Sequence, residues 1–244
     1  IDICIIRYLS FLNESQLKEN EGLIKQLLTN HDPEIQDSIT QLIGQRFIDG
    51  FKIDEIVEEI VNRKIGTSEA RKSLAFVFES NLRNLYTLRN DAKKDQVLDY
   101  LKRLMDPSKE PDIKVRKRAA FFFERDDIKE DYFNDFNKLE LFEIIGSDMD
   151  NTLAQSYAIN YLNKCKGKYL KGSLVALSKI VKKDSPILRD PLVINNILEI
   201  LKEGFNRQEE LDETTYKTLE TIFDLVLEAG WEEAYQLFYE LLNK

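Results

Sequence analysis

Asp112-Ile113-Lys114-Val115-Arg116-Lys117-Arg118-Ala119-Ala120 is the stretch on which the fold turns. An aspartate after Pro111 is a helix N-cap, because its carboxylate accepts backbone N–H groups that the first helical turn leaves unpaired. Val115 and the Ala119-Ala120 pair then fall three, seven and eight positions on, along one helix face. Similar starts occur at Asp32, Thr67 and Asp150. With each taken as position zero, +3 is Ile35, Ala70, Val115 and Leu153, and +7 is Ile39, Leu74, Ala119 and Tyr157. Position +8 is Thr40, Ala75, Ala120 and Ala158, a small residue where a neighbouring helix can approach closely. The starts lie 35, 45 and 38 residues apart, within the range of helical-repeat arrays.

Helical spacing extends well beyond these starts. Ile53, Ile56, Val57, Ile60 and Val61 share one face of a helix; so do Val97, Leu98, Leu101, Leu104 and Met105, and again Leu219, Ile222, Phe223, Val226 and Leu227. No segment keeps a period of two, and no Asn-Gly or Asp-Gly pair separates β-branched runs. Asp32-Pro33 and Asp190-Pro191 each read as a cap with proline in the first helical position, where its missing N–H is not needed. Gly22, Gly44, Gly50, Gly66, Gly146, Gly172, Gly204 and Gly230 are expected mostly at helix edges. The pattern predicts an all-α chain of about a dozen helices, each of roughly 9 to 16 residues.

At this level the Asp112–Ala120 stretch resembles the second-helix signature of HEAT and armadillo-type repeats, an aspartate followed by Val-Arg and then a small residue. Thr67–Ala75 is a weaker copy that keeps the arginine as Arg71, while the copies at Asp32 and Asp150 have Gln36 and Ala154 there. The resemblance implies a right-handed α-solenoid of about five to six stacked helix pairs, and binding in place of catalysis. It covers about residues 20–165. A single helical-repeat domain is expected over 1–244, with the helices of 190–244 as an end cap, since terminal repeats need a polar outer face. The opening at Ile1 suggests a piece of a longer chain.

Composition narrows the class. The 244 residues are 43% hydrophobic and 32% charged, too apolar for a disordered chain, and no uncharged apolar run approaches a membrane span. From Asp190 onward there are 13 acidic and 4 basic side chains, so the last 55 residues carry −9, the whole formal charge. The first 189 balance at 31 of each. Such a chain has no globally basic surface for wrapping nucleic acid. Its acidic end is either a solvated face or a docking surface for a basic partner. Cys4 and Cys165 are too few and too far apart for a disulfide framework and read as buried free thiols of a reducing compartment. An intracellular location, cytoplasm or nucleus, is expected.

Chemistry is sparse. His31 is the one histidine and sits beside a helix start, where a solvated or capping role is expected over an imidazole base. One histidine and two distant cysteines cannot make a tetrahedral zinc site, and no phosphate-binding or nucleophile-elbow motif occurs. Asp54, Glu55, Glu58 and Glu59, and likewise Asp126-Asp127, read as exposed charge. No enzyme activity and no cofactor are expected.

Binding candidates come from the outward helix positions +2, +5 and +6. They run Glu34, Asp37, Ser38; Glu69, Lys72, Ser73; Lys114, Lys117, Arg118; Thr152, Gln155, Ser156, a track that turns basic at the third start. Lys72, Lys114, Lys117, Arg118 and Gln155 are its candidate partner-binding residues, together with Trp231 of an aromatic stripe that continues through Tyr235, Phe238 and Tyr239. That stripe is expected to pack inward on Val226 and Leu227, and Phe121-Phe122-Phe123 and Tyr132, Phe133 and Phe136 to be core. A second basic run is Lys164, Lys166, Lys168 and Lys171. The reading that results is a protein–protein interaction scaffold or adaptor of a larger assembly, meeting an acidic segment of its partner, with no membrane involved. Two alternatives stay open: a nucleic-acid-binding HEAT-type subunit of a chromosome-organising complex, and an armadillo-type Hsp70 nucleotide exchange factor.

Overall fold

The chain caps its helices where the sequence says it should, with one slip of register. In the computed structural model, which describes residues 2–87, 90–124, 129, 132–136 and 139–242, the Asp32 carboxylate accepts the Glu34 N–H at 2.9 Å and Asp112 accepts that of Lys114 at 2.9 Å. Thr67 Oγ1 accepts the Glu69 N–H at 3.3 Å. At the fourth start the cap is Asn151, which accepts the Ala154 N–H at 3.3 Å, and not Asp150. The expected +3, +7 and +8 positions there move forward one residue, to Ala154, Ala158 and Ile159, all buried.

Every regular element among the described residues is helical, and the chain divides into two compact units, Ile1–Phe122 and Phe123–Lys244. The first holds α1 (Asp2–Leu9), α2 (Glu14–Glu19), α3 (Glu21–Leu28), α4 (Pro33–Ile48), α5 (Asp54–Val61), α6 (Ser68–Thr87), α7 (Asp91–Met105) and α8 (Ile113–Ala120). Here α4 packs on α6 and α6 on α8, while α3, α5 and α7 lie against them as a second layer. The second layer is laced by polar contacts to the acidic cluster of α5, whose side chains stay partly exposed. Lys25 meets Glu59 at 2.8 Å, Arg103 meets Glu58 at 2.9 Å, and Gln96 donates to Asp54 at 3.2 Å. Cations from neighbouring helices meet Asp54, Glu58 and Glu59, while Glu55 is the exposed member of that acidic cluster. Asp126-Asp127 lies outside the described residues. The apolar faces of α5 and α7 are buried as their spacing predicts, and Phe47, Phe78 and Tyr100 form a ring cluster with centroids 5.7 Å apart.

A 3-10 turn, Phe121–Glu124, follows α8, and the boundary between the units falls inside it. The second unit contains α9 (Phe133–Phe136), α10 (Leu139–Ser147), α11 (Thr152–Ile180), α12 (Pro191–Asn206), α13 (Glu213–Glu228) and α14 (Glu232–Leu242). Its aromatic core joins Phe123, Phe136, Phe142 and Tyr161, with Phe133 stacked on Tyr169 at 4.8 Å. Helix α11 spans 29 residues, longer than any expected, because two helices run together through a break at Tyr169 (φ −127°, ψ 43°). The Gly167 carbonyl beside that break accepts a hydrogen bond from Arg207 at 2.9 Å. Among the glycines, Gly66 closes a turn with φ +73°, a conformation that a Cβ disfavours. Gly44, Gly146 and Gly204 instead lie within helices as points of close approach; a Cβ at Gly146 would collide with the Lys179 backbone.

The corrected register reveals a feature that position zero at Asp150 had hidden. Position +4 is Gln36, Arg71, Arg116 and Gln155, a long polar side chain that is buried in every case. Each fastens a connecting segment. Gln36 donates to the Asn30 carbonyl and accepts from Thr67 of the next start. Arg116 donates to the carbonyls of Glu110 and Pro111 at 2.9 and 2.8 Å, and Gln155 to those of Ile145 and Asp148, both at 3.3 Å. Arg71 reaches the Glu110 carboxylate at 2.5 and 3.4 Å, and Glu110 also accepts the Asp112 N–H at 2.9 Å. These bonds satisfy loop carbonyls and N–H groups that burial would otherwise leave without partners.

Candidate functional site

The outward face of α6 and α8 is where the basic candidates gather, and α8 sets their positions. With Asp112 as cap, Val115, Arg116, Ala119 and Ala120 face inward, which turns Lys114 and Lys117 away from the core. Lys114 is exposed, Lys117 is partly exposed, and among the described residues neither has an ion-pair partner. The Lys114 backbone N–H holds the Asp112 carboxyl below its ordinary value, which keeps the cap ionised. Lys72, on α6, occupies the same position +5 as Lys117 and pairs with Glu69 one turn away at 2.6 Å, both groups 41% exposed. A surface pair of this kind is worth roughly 0–1 kcal/mol and yields readily to a better partner.

Arg118 sits differently from its two neighbours. Its guanidinium turns back to the nearly buried Glu79 of α6, at 2.7 Å, and lies 4.6 Å over the Phe76 ring and 4.9 Å over that of Phe121. It joins α6 to α8 and orders two aromatic rings, so its charge is largely spent inside the fold. Gln155 leaves the track altogether. It has no exposed surface and its amide serves the Ile145 and Asp148 carbonyls, because the one-residue shift of the α11 cap moves it from +5 to +4. The Lys164–Lys171 run is also engaged. Lys166 meets Glu199 at 3.1 Å, Lys171 meets Asp212 at 3.6 Å, and Lys168 lies over the Tyr169 ring.

Phe76 is the member of this face that the outward positions missed. It is 43% exposed, a large apolar surface with the Arg118 guanidinium of α8 lying over it. The signal was present at position +9, which is Phe76 in one copy and Phe121 in the next. The two helices therefore offer the unpaired ammonium groups of Lys114 and Lys117 together with an arginine-backed ring. That combination suits a partner segment carrying carboxylates and an apolar or aromatic side chain. Phe122 and Phe123 are core, as expected, and take no part.

Trp231 lies elsewhere, in the second unit. It is half-buried just before α14, and its indole N–H donates to the Leu188 carbonyl at 2.6 Å. The stripe that it begins packs inward only in part, with the Phe238 ring 6.4 Å from that of buried Phe223. Tyr235, Phe238 and Tyr239 are 46, 39 and 63% exposed, while Ala234 and Leu237 carry the buried side of α14. The main contacts of α14 are with α12 and α13. Tyr235 still donates to the Leu227 carbonyl at 3.2 Å.

The remaining reactive groups are scattered. His31 is exposed beside the start of α4, Cys165 is buried, and Cys4 is exposed on α1 where a buried thiol was expected. No group of three metal-ligating side chains occurs among the described residues, and no helix there is long and apolar enough to cross a membrane. Neither a protein-family model, nor a curated protein, nor a solved structure matches the chain.

Proposed function

We propose that this chain is a non-enzymatic helical-repeat scaffold of the HEAT/armadillo type, an adaptor within a larger intracellular assembly. On this reading it is a right-handed solenoid that docks an acidic segment of a partner protein on the outward face of α6 and α8. One observation carries the reading: the same helix position, +4, bears a buried polar brace in α4, α6, α8 and α11. An ordinary bundle whose helix starts look alike by chance has no reason to repeat that device, whereas a stack of equivalent pairs needs each loop fastened in the same way. The alternation of α3, α5 and α7 with α4, α6 and α8 in the first unit supports the same conclusion.

The test leaves Arg118 in place, since its loss would strip Glu79 of a partner. Lys72, Lys114 and Lys117 are changed together to Glu, and binding is followed by fluorescence anisotropy with a labelled peptide of alternating Glu and Phe. The expected result is at least a tenfold loss of affinity with an unchanged helical circular-dichroism spectrum and melting temperature. Equal affinity in the variant would remove this face from the account. Duplex DNA and single-stranded RNA form the second arm. Tight, steeply salt-dependent binding that the same variant abolishes would replace the acidic peptide by nucleic acid.

A further inference from the structure

We infer that the partner segment is bipolar, with basic residues over α4, an aromatic residue beside Phe76 of α6 and acidic residues over α8. The inference rests on the reading of α6 and α8 as a docking face and specifies the charge order that this face demands. Three helices of the first unit lie abreast here. Gln36 of α4 accepts hydrogen bonds from Thr67 at the α6 start, and Arg71 of α6 reaches Glu110, two residues before the α8 cap. Asp37 of α4 also accepts from the Ser73 hydroxyl of α6. These bonds set the three starts side by side, so equivalent positions fall in rows.

Charge on those rows changes sign in order. Position +2 is Glu34, Glu69 and Lys114, and +5 is Asp37, Lys72 and Lys117. On α4 both are carboxylates. Glu34 is exposed, Asp37 is partly exposed and bonded by Gln41 and Ser73, and neither meets a cation among the described residues. On α6 the two charges cancel in the Glu69–Lys72 pair, with Phe76 one turn beyond it. On α8 both are ammonium groups without an ion-pair partner among the described residues. Packed helices are spaced roughly 8–10 Å apart, which separates the ends of the strip by about 16–20 Å. That exceeds the Debye length of about 8 Å at physiological ionic strength, so each end is met by its own counter-charge. An extended chain crosses the interval in about five or six residues. A uniformly acidic segment would set carboxylates against Glu34 and Asp37, and a uniformly basic one would meet Lys114 and Lys117. Among the described residues, Phe76 is the one large apolar side chain exposed on these three helices. That is too little for the apolar core of a stable dimer, which favours a short segment over a second copy.

The probes are two labelled peptides of about twelve residues with one composition and zero net charge. Each holds three Lys, a central Phe and three Glu with Gly and Ser spacers, the charges in blocks or interleaved. In anisotropy titrations against the full 244-residue chain, the blocked peptide should bind at least fivefold more tightly. The test variant, Glu34→Lys with Ser38→Lys, turns the α4 end basic. It should cut that preference to twofold or less and tighten the binding of the acidic Glu/Phe peptide at least threefold, opposite changes that misfolding does not produce. The control, Gln208→Lys with Glu209→Lys, makes the same change in net charge at exposed positions of the second unit and should keep the preference. Equal binding of the two neutral peptides by the wild type, or a preference that survives the test variant, would overturn the bipolar segment. The docking face is judged separately, by the loss of the acidic peptide when Lys72, Lys114 and Lys117 become Glu. A dimer in sedimentation that the test variant dissociates would assign the strip to a second copy and overturn the segment as well.

Discussion

The two units solve the same problem, holding successive helices together, by different means. In the first, the starts of α4, α6 and α8 are each tied by a buried polar side chain at +4, with Gln36, Arg71 and Arg116 serving connecting segments and the following start. In the second, Gln155 repeats the device once and then it stops. At the next proline-marked start, Asp190, position +4 is Ile194, fully buried among apolar neighbours. Fastening there falls to partly exposed polar pairs, Asn163 with Asn196 at 2.9 Å and Lys166 with Glu199 at 3.1 Å. The contrast shows that one helix position can be filled by a hydrogen-bonding brace or by packing. The brace fixes which loop lies where, while packing alone contributes burial without direction.

Substitution at the two kinds of +4 environment separates these mechanisms. Glu110→Ala should have the largest effect, about 3–5 kcal/mol, because it leaves the Arg71 guanidinium buried without its carboxylate and frees the Asp112 N–H. Urea denaturation followed by circular dichroism measures it, and a loss below about 1 kcal/mol would show that the pair is not buried in solution. Ile194→Ala should cost about 2–4 kcal/mol by cavity formation, and Ile194→Leu much less, since nothing directional is lost. A Leu variant as damaging as the Ala variant would mean that the second unit demands more specific geometry than packing explains.

The smallest effect belongs to the outer lacing of the first unit. The hydrogen bonds from Arg103 hold the Glu58 carboxyl below its ordinary value of 4.5. A carboxyl depressed in the folded chain binds fewer protons there than when unfolded, so its contribution is present above that ordinary value and is lost as pH falls through the lower, folded one. Glu58→Gln should lower the melting temperature at pH 7 by no more than about 2 °C, as expected of a half-exposed pair. The difference from wild type should close as pH drops below 4.5. A difference that persists in acid would assign the effect to packing of the longer side chain and not to its charge.

Much of this arrangement was legible in the residues themselves. The apolar spacing of Ile53–Val61 and Val97–Met105 depends on nothing but helical period, and those faces are buried accordingly. The start at Asp112 was equally plain, since cap, Val115 and the alanine pair agree. The fourth start was ambiguous because Asp150 and Asn151 can both cap. The choice between them follows from tertiary burial: Asn151 is 1% exposed and Asp150 is exposed. That single residue decided whether Gln155 counted as surface or as brace. Arg118 shows a second limit. Helical position places its Cα outward, but a side chain of that length reaches Glu79 on another helix, and no spacing rule encodes the reach. The aromatic stripe of α14 shows a third, since amphipathic spacing names a face without saying whether anything lies against it.

A double-mutant cycle on Arg71→Met and Glu110→Gln, read by equilibrium unfolding, tests most directly whether the +4 brace fastens one helix start to the next. The geometry predicts a coupling energy of about 2–3 kcal/mol, with the double variant far more stable than the sum of the single losses allows. Additivity within about 0.5 kcal/mol would mean that the two side chains do not meet in solution, and the case for a repeated fastening would fall with them.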